Sequence, residues 1–298
     1  MSYSAEISRS NPSCFLFLID QSGSMQDVLD PTAAQALPQP VVEDGRAYTH
    51  TAQGKTKAQA VADAINRLLQ NLVIKCAKSE GVRDYYHVGV IGYGARVGPA
   101  FSGPLAGREL ALIGEVANLP ARLEERVRRI DDGAGGLISQ TIKFPIWFDT
   151  VADGGTPMCQ VLNRAQAILA GWLVQHPRCF PPIVINITDG ESTDGDPTGA
   201  ANGLKDLASE DGNVLLFNLH ISGLDARPIE FADDERELPD GYAQLLFRLS
   251  SALPDYMRAI ARQEGYRVSA RTRGFVFNGG IESVISFLDI GTRPSNLR

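Results

Sequence analysis

The chain has 298 residues, of which 44% are hydrophobic and 21% are charged, as is ordinary for a soluble globular protein. Its formal net charge of -7 argues against a nucleic-acid partner or a membrane partner bound non-specifically, because both need a basic protein surface. It has no apolar run near the roughly 18 residues that span a bilayer and no signal peptide in the polar stretch from Met1 to Ser13, so we expect a cytoplasmic protein.

Stretches typical of strands alternate along the chain with stretches typical of helices. Strands are predicted near residues 14–19, 87–93, 97–101, 183–188, 214–220 and 275–277. The second and third are separated only by Gly94-Ala95-Arg96, which allows a hairpin and no crossover, so the third is predicted to be an antiparallel edge strand. This alternation predicts an α/β fold, a Rossmann-like doubly wound sheet of about six strands, five of them parallel, with helices on both faces.

Two segments carry an apolar stripe at the 3.6-residue spacing of a helix. The first stripe consists of Val61, Ile65, Leu68, Leu69, Leu72 and Cys76. The second consists of Val161, Leu162, Ala165, Ile168, Leu169, Trp172 and Leu173. We expect both stripes to pack in the core and not to bind a ligand.

Two long segments interrupt this alternation. Residues 27–57 are rich in Pro, Ala and Gln without periodicity, and a loop of that length inside a compact domain is usually functional or mobile. Residues 102–153 contain the charged run Arg122 to Arg129, predicted as a solvated helix face with Glu–Arg pairs at i,i+4 or as a partner-docking helix. Because the chain shows no internal repeat and no clear linker, we predict one domain over 1–298 with insertions near 27–57 and 102–153.

Oxygen-bearing side chains follow two of the predicted strands. Three stand at alternate positions directly after the apolar run at 14–19, namely Asp20, Ser22 and Ser24. A Gly-Gly-Thr-Pro run at 154–157 opens a predicted helix, and Thr-Asp-Gly at 188–190 closes the strand predicted at 183–188. Hard oxygen ligands of this kind suit Mg2+, although Asp-x-Ser-x-Ser alone is also compatible with a plain loop.

Taken together, these motifs resemble the von Willebrand factor A (VWA) domain, in which they form the metal-ion-dependent adhesion site, or MIDAS. The resemblance implies a VWA fold and one divalent cation, Mg2+, for which Mn2+ or Ca2+ can substitute because the donors are all oxygen. The implied ligands are Asp20, Ser22, Ser24, Thr156 and Asp189.

A narrower resemblance covers other parts of the chain. The run Ile187 to Asp194, the pair Trp147-Phe148 and the run Leu246 to Pro254 are similar to bacterial cytoplasmic VWA proteins like those of tellurite-resistance clusters. Members of that subgroup tend to be encoded beside a PP2C-type phosphatase and a Ser/Thr protein kinase. This resemblance implies a phosphatase or kinase partner in a signalling or stress-resistance system.

The ligand types indicate binding and not catalysis. In the family the hydroxyls bind the metal directly and the aspartates often act through water, so the ion stays electrophilic and accepts an Asp or Glu carboxylate from a protein partner. The prediction is a non-enzymatic adaptor without catalytic residues. The long loop 27–57 starts at the predicted site. We interpret it as a reader, meaning a loop that selects the protein partner, or as a lid that offers Glu43 or Asp44 to the metal.

The alternative is a metal-dependent hydrolase or phosphatase that uses the same cation, which needs a base near a bound water. His87 and His220 lie in predicted strands and His176 at a predicted helix end, which leaves His50 in the long loop. The acidic residues Glu191, Asp194 and Asp196 are predicted to form a solvated turn or, alternatively, a second and weaker cation site.

Overall fold

A computed structural model describes residues 3–29, 41–43, 46–48, 54–131, 137–221 and 227–279. Most of the 27–57 insertion, including His50, lies outside these ranges, so its predicted role as a reader or a lid stays a prediction. The glycine-rich stretch at 132–136 also lies outside them.

The described residues form sixteen strands and six α-helices. The strands are β1 Ser13–Asp20, β2 Val41–Glu43, β3 Arg46–Tyr48, β4 Ala77–Lys78, β5 Gly81–Val82, β6 Tyr86–Tyr93, β7 Val97–Pro99, β8 Ala111–Leu112, β9 Arg122–Asp131, β10 Leu137–Ile146, β11 Ile183–Thr188, β12 Ala208–Ser209, β13 Gly212–Asn213, β14 Leu215–His220, β15 Ile229–Glu230 and β16 Phe275–Phe277. The helices are α1 Lys57–Cys76, α2 Ile113–Asn118, α3 Met158–Gln175, α4 Thr198–Asp206, α5 Gly241–Leu249 and α6 Asp255–Gln263. None of these helices is long and apolar enough to cross a membrane.

Eight strands form the central sheet, in the order β15-β16-β14-β11-β1-β6-β7, with β8 also paired to β6. Five of them, β1, β6, β11, β14 and β16, are parallel, which confirms the predicted α/β class with a mainly parallel sheet. Strand β7 is antiparallel to β6, as the short connection predicted. The predicted count of about six strands was too low, because it missed β8 and β15, which are also antiparallel to their neighbours. Each of them has only two residues, too few to show a periodic pattern.

Helices cover both faces of the sheet, and the alternation of β1 shows how. Phe15, Phe17 and Ile19 pack with the apolar stripe of α1, whereas Leu16 and Leu18 pack with the stripe of α3. Both predicted helix stripes therefore lie in the core, and all eight residues of β1 are buried. A strand buried on both faces explains why its sequence is apolar without alternation.

The charged run Arg122 to Arg129 was predicted to be helical, and this was wrong. It forms most of β9, which pairs with β10 in antiparallel register from Arg122 opposite Ile146 to Asp131 opposite Leu137. Across the hairpin the guanidinium of Arg126 lies 4.0 Å from the ring centroid of Phe144. Pairing with a strand distant in sequence thus overrides the local helical spacing.

Candidate metal site

Strands β1 and β11 bring two of the predicted ligands together. The strands are parallel neighbours with Ile19 opposite Ile187, so both end at the same edge of the sheet. Asp20 is the last residue of β1, and Asp189 directly follows β11. Residues that follow parallel strands in this way gather at the carboxyl edge of the sheet, where α/β folds bind ligands.

Asp20 is buried and held by two hydrogen bonds. Its Oδ1 accepts from the backbone N–H of Ser22 at 2.8 Å, and its Oδ2 accepts from the Thr188 hydroxyl at 2.6 Å. Burial raises the pKa of the Asp20 carboxyl, while the hydrogen bonds from Ser22 and Thr188 oppose that rise. A carboxylate that is costly to ionise when buried is stabilised by a cation placed beside it.

A chain of short contacts runs from Ser22 to Asp189. The hydroxyls of Ser22 and Ser24 are 3.0 Å apart, and Ser24 donates to Asp189 Oδ1 at 2.7 Å. Ser22 is buried, whereas Ser24 is exposed. The site is therefore reached from solvent on the side of Ser24.

Thr156 joins this cluster from the start of α3. Its backbone N–H donates to the Thr193 hydroxyl at 2.9 Å, and the N–H of Thr193 donates to the Thr156 carbonyl at 2.9 Å. This pair of bonds holds the Thr156 loop against the loop that carries Asp189. The Thr156 hydroxyl lies beside Gly190, where an added Cβ would be 3.8 Å from it.

The glycines before Thr156 let three loops meet. Gly154 has a φ of +83°, and a Cβ added there would lie 2.4 Å from the backbone nitrogen of Ala95. Its carbonyl accepts from the N–H of Gly23 at 2.9 Å, so the first ligand loop is tied directly to the Thr156 loop. The positive φ and the close backbone approach explain why glycine occupies this position.

Lys57 is a charged residue of this site that sequence reasoning missed. Its side chain is only 5% exposed, and its Nζ donates to Asp189 Oδ2 at 2.8 Å and to Asp27 Oδ2 at 3.3 Å. A signal did exist, since Thr56 and Gln59 form a capping box that begins α1 at Lys57. A lysine in the first turn is electrostatically unfavourable, because it lies at the positive end of the helix dipole, and this indicates that the residue has another role.

The donor set fits a hard divalent cation. The side chains of Asp20, Ser22, Ser24, Thr156 and Asp189 offer two carboxylates and three hydroxyls, all of them oxygen donors, as Mg2+ prefers. Over the described ranges, no group of three or more His, Cys, Asp or Glu side chains is arranged to hold a metal. The chemistry of these residues therefore suits Mg2+, Mn2+ or Ca2+ and not a metal that prefers thiolate or imidazole ligands.

The acidic residues after Asp189 have other partners. Asp194 accepts from the backbone N–H groups of Cys159 and Gln160, both at 2.9 Å, and so caps the first turn of α3. Asp196 accepts from the backbone N–H of Thr198 at 2.9 Å at the start of α4. These oxygens serve helix termini, which weakens the alternative of a second cation there.

Of the three histidines in the described ranges, only His220 is buried, whereas His87 and His176 are partly exposed. His87 and His220 lie in β6 and β14, as predicted, and His176 follows α3 and stacks on Trp172. His220 pairs in register with Thr188, close to the site, but burial lowers its pKa and its ring lies against Phe277.

No protein-family model and no curated protein sequence matches the chain. Among solved structures, it is similar to the vWF domain of the type V pili tip protein Mfa5 from Porphyromonas gingivalis, with 12% identity and a TM-score of 0.30 over 61% of this chain and 39% of that chain. It is similar to the ArnB paralog VWA2 from Sulfolobus acidocaldarius, with 10% identity and a TM-score of 0.31 over 73% of this chain and 36% of that chain.

A third similar structure is the pilus adhesin RrgA from Streptococcus pneumoniae, with 14% identity and a TM-score of 0.30 over 63% of this chain and 22% of that chain. This chain therefore spans well under half of the length of each of these three solved chains. Overlaps this partial carry no argument about activity, which has to rest on the site itself.

Proposed function

We propose that this chain is a VWA-type interaction module that binds one divalent cation and captures an acidic residue of a protein partner on it. The observation that carries the proposal is the contact between the loop after β1 and the loop after β11, in which the Ser24 hydroxyl lies 3.0 Å from that of Ser22 and donates to Asp189. The proposed ligands are Asp20, Ser22, Ser24, Thr156 and Asp189.

The charges at this site favour an anionic ligand. Of the two carboxylates, Asp189 is already paired with the ammonium of Lys57. The three hydroxyls are neutral donors of lone pairs. A bound divalent cation supplies a Lewis-acidic position, and these residues leave its positive charge incompletely neutralised, which suits a carboxylate from another molecule.

The surroundings of the site suit a protein partner. Leu29, Val151 and Tyr242 are large hydrophobic side chains that are exposed. Each belongs to or touches a segment that forms the site: Leu29 follows the first ligand loop, Val151 precedes the Thr156 loop, and the Tyr242 hydroxyl donates to Glu191 at 2.8 Å. Exposed apolar groups around a charged centre are typical of protein interfaces.

A metal-dependent hydrolase or phosphatase remains the rival. It needs a base that reaches a metal-bound water. His220 is buried and its pKa is lowered, with Nδ1 enclosed and without a hydrogen-bond partner in the part of the chain that the structure describes. No observation at the site favours catalysis over binding.

In line with the narrower resemblance, we propose a PP2C-type phosphatase or a Ser/Thr kinase as the bound partner.

Calorimetry and affinity purification test this proposal. The wild-type chain should bind one equivalent of Mg2+ or Mn2+, and Ser22→Ala should weaken binding by roughly tenfold because one neutral ligand is lost. The exposed Asp206→Asn variant is a matched control, since Asp206 ends α4 away from the site, and it should bind as wild type does. A partner purified with the tagged chain in Mg2+ should be lost in chelator. Metal-dependent turnover of a phosphoester by the isolated chain would instead support the rival.

A further inference from the structure

Lys57 and Asp189 form an enclosed ion pair inside the candidate metal site. The Asp189 side chain is 0% exposed and that of Lys57 is 5% exposed, whereas the second partner, Asp27, is 68% exposed. One carboxylate oxygen of Asp189 accepts from Ser24 and the other accepts from Lys57. Both oxygens of a proposed metal ligand are thus occupied by groups of this chain.

Burial of the Lys57 ammonium destabilises the folded chain unless a counter-charge compensates for it. Removing an ammonium from water carries a desolvation cost that only a well-placed counter-charge offsets. As the first residue of α1, it also stands at the positive end of the helix dipole. The backbone fixes it there, because its N–H donates to the Asp27 carbonyl at 2.9 Å and Thr56 caps the helix.

We propose that Lys57 is a resident cation of the site, which holds Asp189 in place when no divalent cation is bound and makes the loaded site selective for anions. The inference rests on the proposed function. With a divalent cation present, the ammonium and the metal together outweigh the enclosed charges of Asp20 and Asp189, while the third carboxylate, that of Asp27, is 68% exposed and screened by solvent. The excess positive charge lowers affinity for the metal and raises affinity for a carboxylate beside it.

These two effects have opposite signs, which gives the proposal a distinctive test. Lys57→Met keeps most of the side-chain volume and removes the charge. It should bind Mn2+ at least about tenfold more tightly in calorimetry, because a positive neighbour of the ion is gone and Asp189 is released. Acetate should displace water from the Mn2+ bound to Lys57→Met only at a concentration about tenfold higher than the wild type requires. Water-proton relaxation measures this displacement.

Three further variants complete the experiment. Lys57→Arg keeps the charge and should resemble wild type in both titrations. Lys55→Met is the matched control, since Lys55 is two residues away, 46% exposed and paired with Asp63. Should Lys57→Met fail to fold, Asp27→Asn gives the opposite shift: it removes an exposed counter-charge from Lys57 and should weaken Mn2+ binding by about twofold.

The outcomes separate this inference from the function on which it rests. If the wild-type chain binds no Mn2+, the proposed metal site is wrong. If the wild type binds Mn2+ but Lys57→Met binds it equally or more weakly, the metal site stands and the role of Lys57 is refuted. Equal acetate affinity in the two proteins would refute the proposed selectivity for anions.

Discussion

Ser24 and Asp189 lie 165 positions apart in the chain, yet the Ser24 hydroxyl donates to the Asp189 carboxylate at 2.7 Å. The bond joins the loop after β1 to the loop after β11. Since these strands are adjacent and parallel, their following loops leave the sheet side by side. The order of strands in the sheet, and not any local motif, therefore assembles the site.

Asp20 should be indispensable for metal binding and dispensable for folding. Asp20→Asn keeps the shape of the side chain and can still accept from the Ser22 N–H, but it carries no charge. We expect Mn2+ binding to fall below detection in calorimetry. Because burial raises the pKa of Asp20, removing the charge should leave the free energy of unfolding in chelator unchanged or higher by about 1 kcal/mol. Retained Mn2+ affinity would exclude Asp20 as a ligand.

Gly154 should be required for the geometry of the Thr156 loop. Any other residue at this position would have an unfavourable positive φ, and its Cβ would clash with the backbone of Ala95. Gly154→Ala should therefore lower the free energy of unfolding in urea by about 2–4 kcal/mol. Gly171 is the matched control, because it lies within α3 and an added Cβ has no neighbour within 4 Å. Gly171→Ala should be neutral or stabilise by up to about 1 kcal/mol. Equal stability of the two variants would contradict the close approach at Gly154.

The sequence predicts that Ser24 and Asp189 lie close together, because each follows a buried strand and the two strands are parallel neighbours. An unbroken apolar run indicates a central strand, which β1 confirms, whereas a metal ion bound at the end of that strand stays a prediction. Lys57 could not be predicted in the same way. Its partner Asp189 is 132 positions away, and nothing local to Lys57 shows that contact.

The error over β9 has a simple geometric cause. The helix was predicted from Glu–Arg pairs at i,i+4, such as Glu124 and Arg128. A spacing of four places two side chains on the same face of a helix and also on the same face of a strand, so these pairs fit either structure. Only the pairing with β10 and the packing of Arg126 on Phe144 decide between the two, and these contacts are long-range.

Stability should fall between neutral and mildly acidic pH, in part because of His87. Burial lowers the pKa of His87 from its ordinary value of 6.5, and the nearby His176 lowers it further, while Asp84 and Glu115 oppose the shift. The unfolded chain therefore takes up the proton at higher pH than the folded chain. The contribution of His87 to the free energy of unfolding is therefore fully present above about pH 6.5. It is lost as the pH falls below that value toward the pKa of His87 in the folded chain.

His87→Gln tests this contribution by urea unfolding at pH 7.5 and pH 5.5. The variant cannot titrate, so its stability should differ less between the two conditions than that of the wild type. Some dependence should remain, because burial lowers the pKa of His220 as well. An unchanged difference would show that His87 takes up its proton equally in both states.

Asn66 should anchor the β9–β10 hairpin to α1. Its side chain is buried, with Oδ1 accepting from the N–H groups of Trp147 at 2.8 Å and Phe148 at 3.1 Å, while Nδ2 donates to the carbonyls of Phe148 at 2.8 Å and Ala62 at 2.9 Å. Asn66→Ala removes the partner of the Trp147 and Phe148 N–H groups and of the Phe148 carbonyl, whereas the Ala62 carbonyl keeps its bond within α1. The expected loss in the free energy of unfolding is about 3 kcal/mol or more.

The control for Asn66 is Asn118→Ala, whose exposed amide makes one bond to the Gly114 carbonyl at 2.8 Å and should cost less than about 1 kcal/mol. Amide hydrogen exchange gives a local readout, since protection should fall first at Trp147 and Phe148 in the Asn66 variant. Phe148 leads into the segment that carries Thr156, so Mn2+ affinity should also weaken, though less than in Asp20→Asn. Unaltered exchange at both amides would show that the hairpin base is held by other contacts.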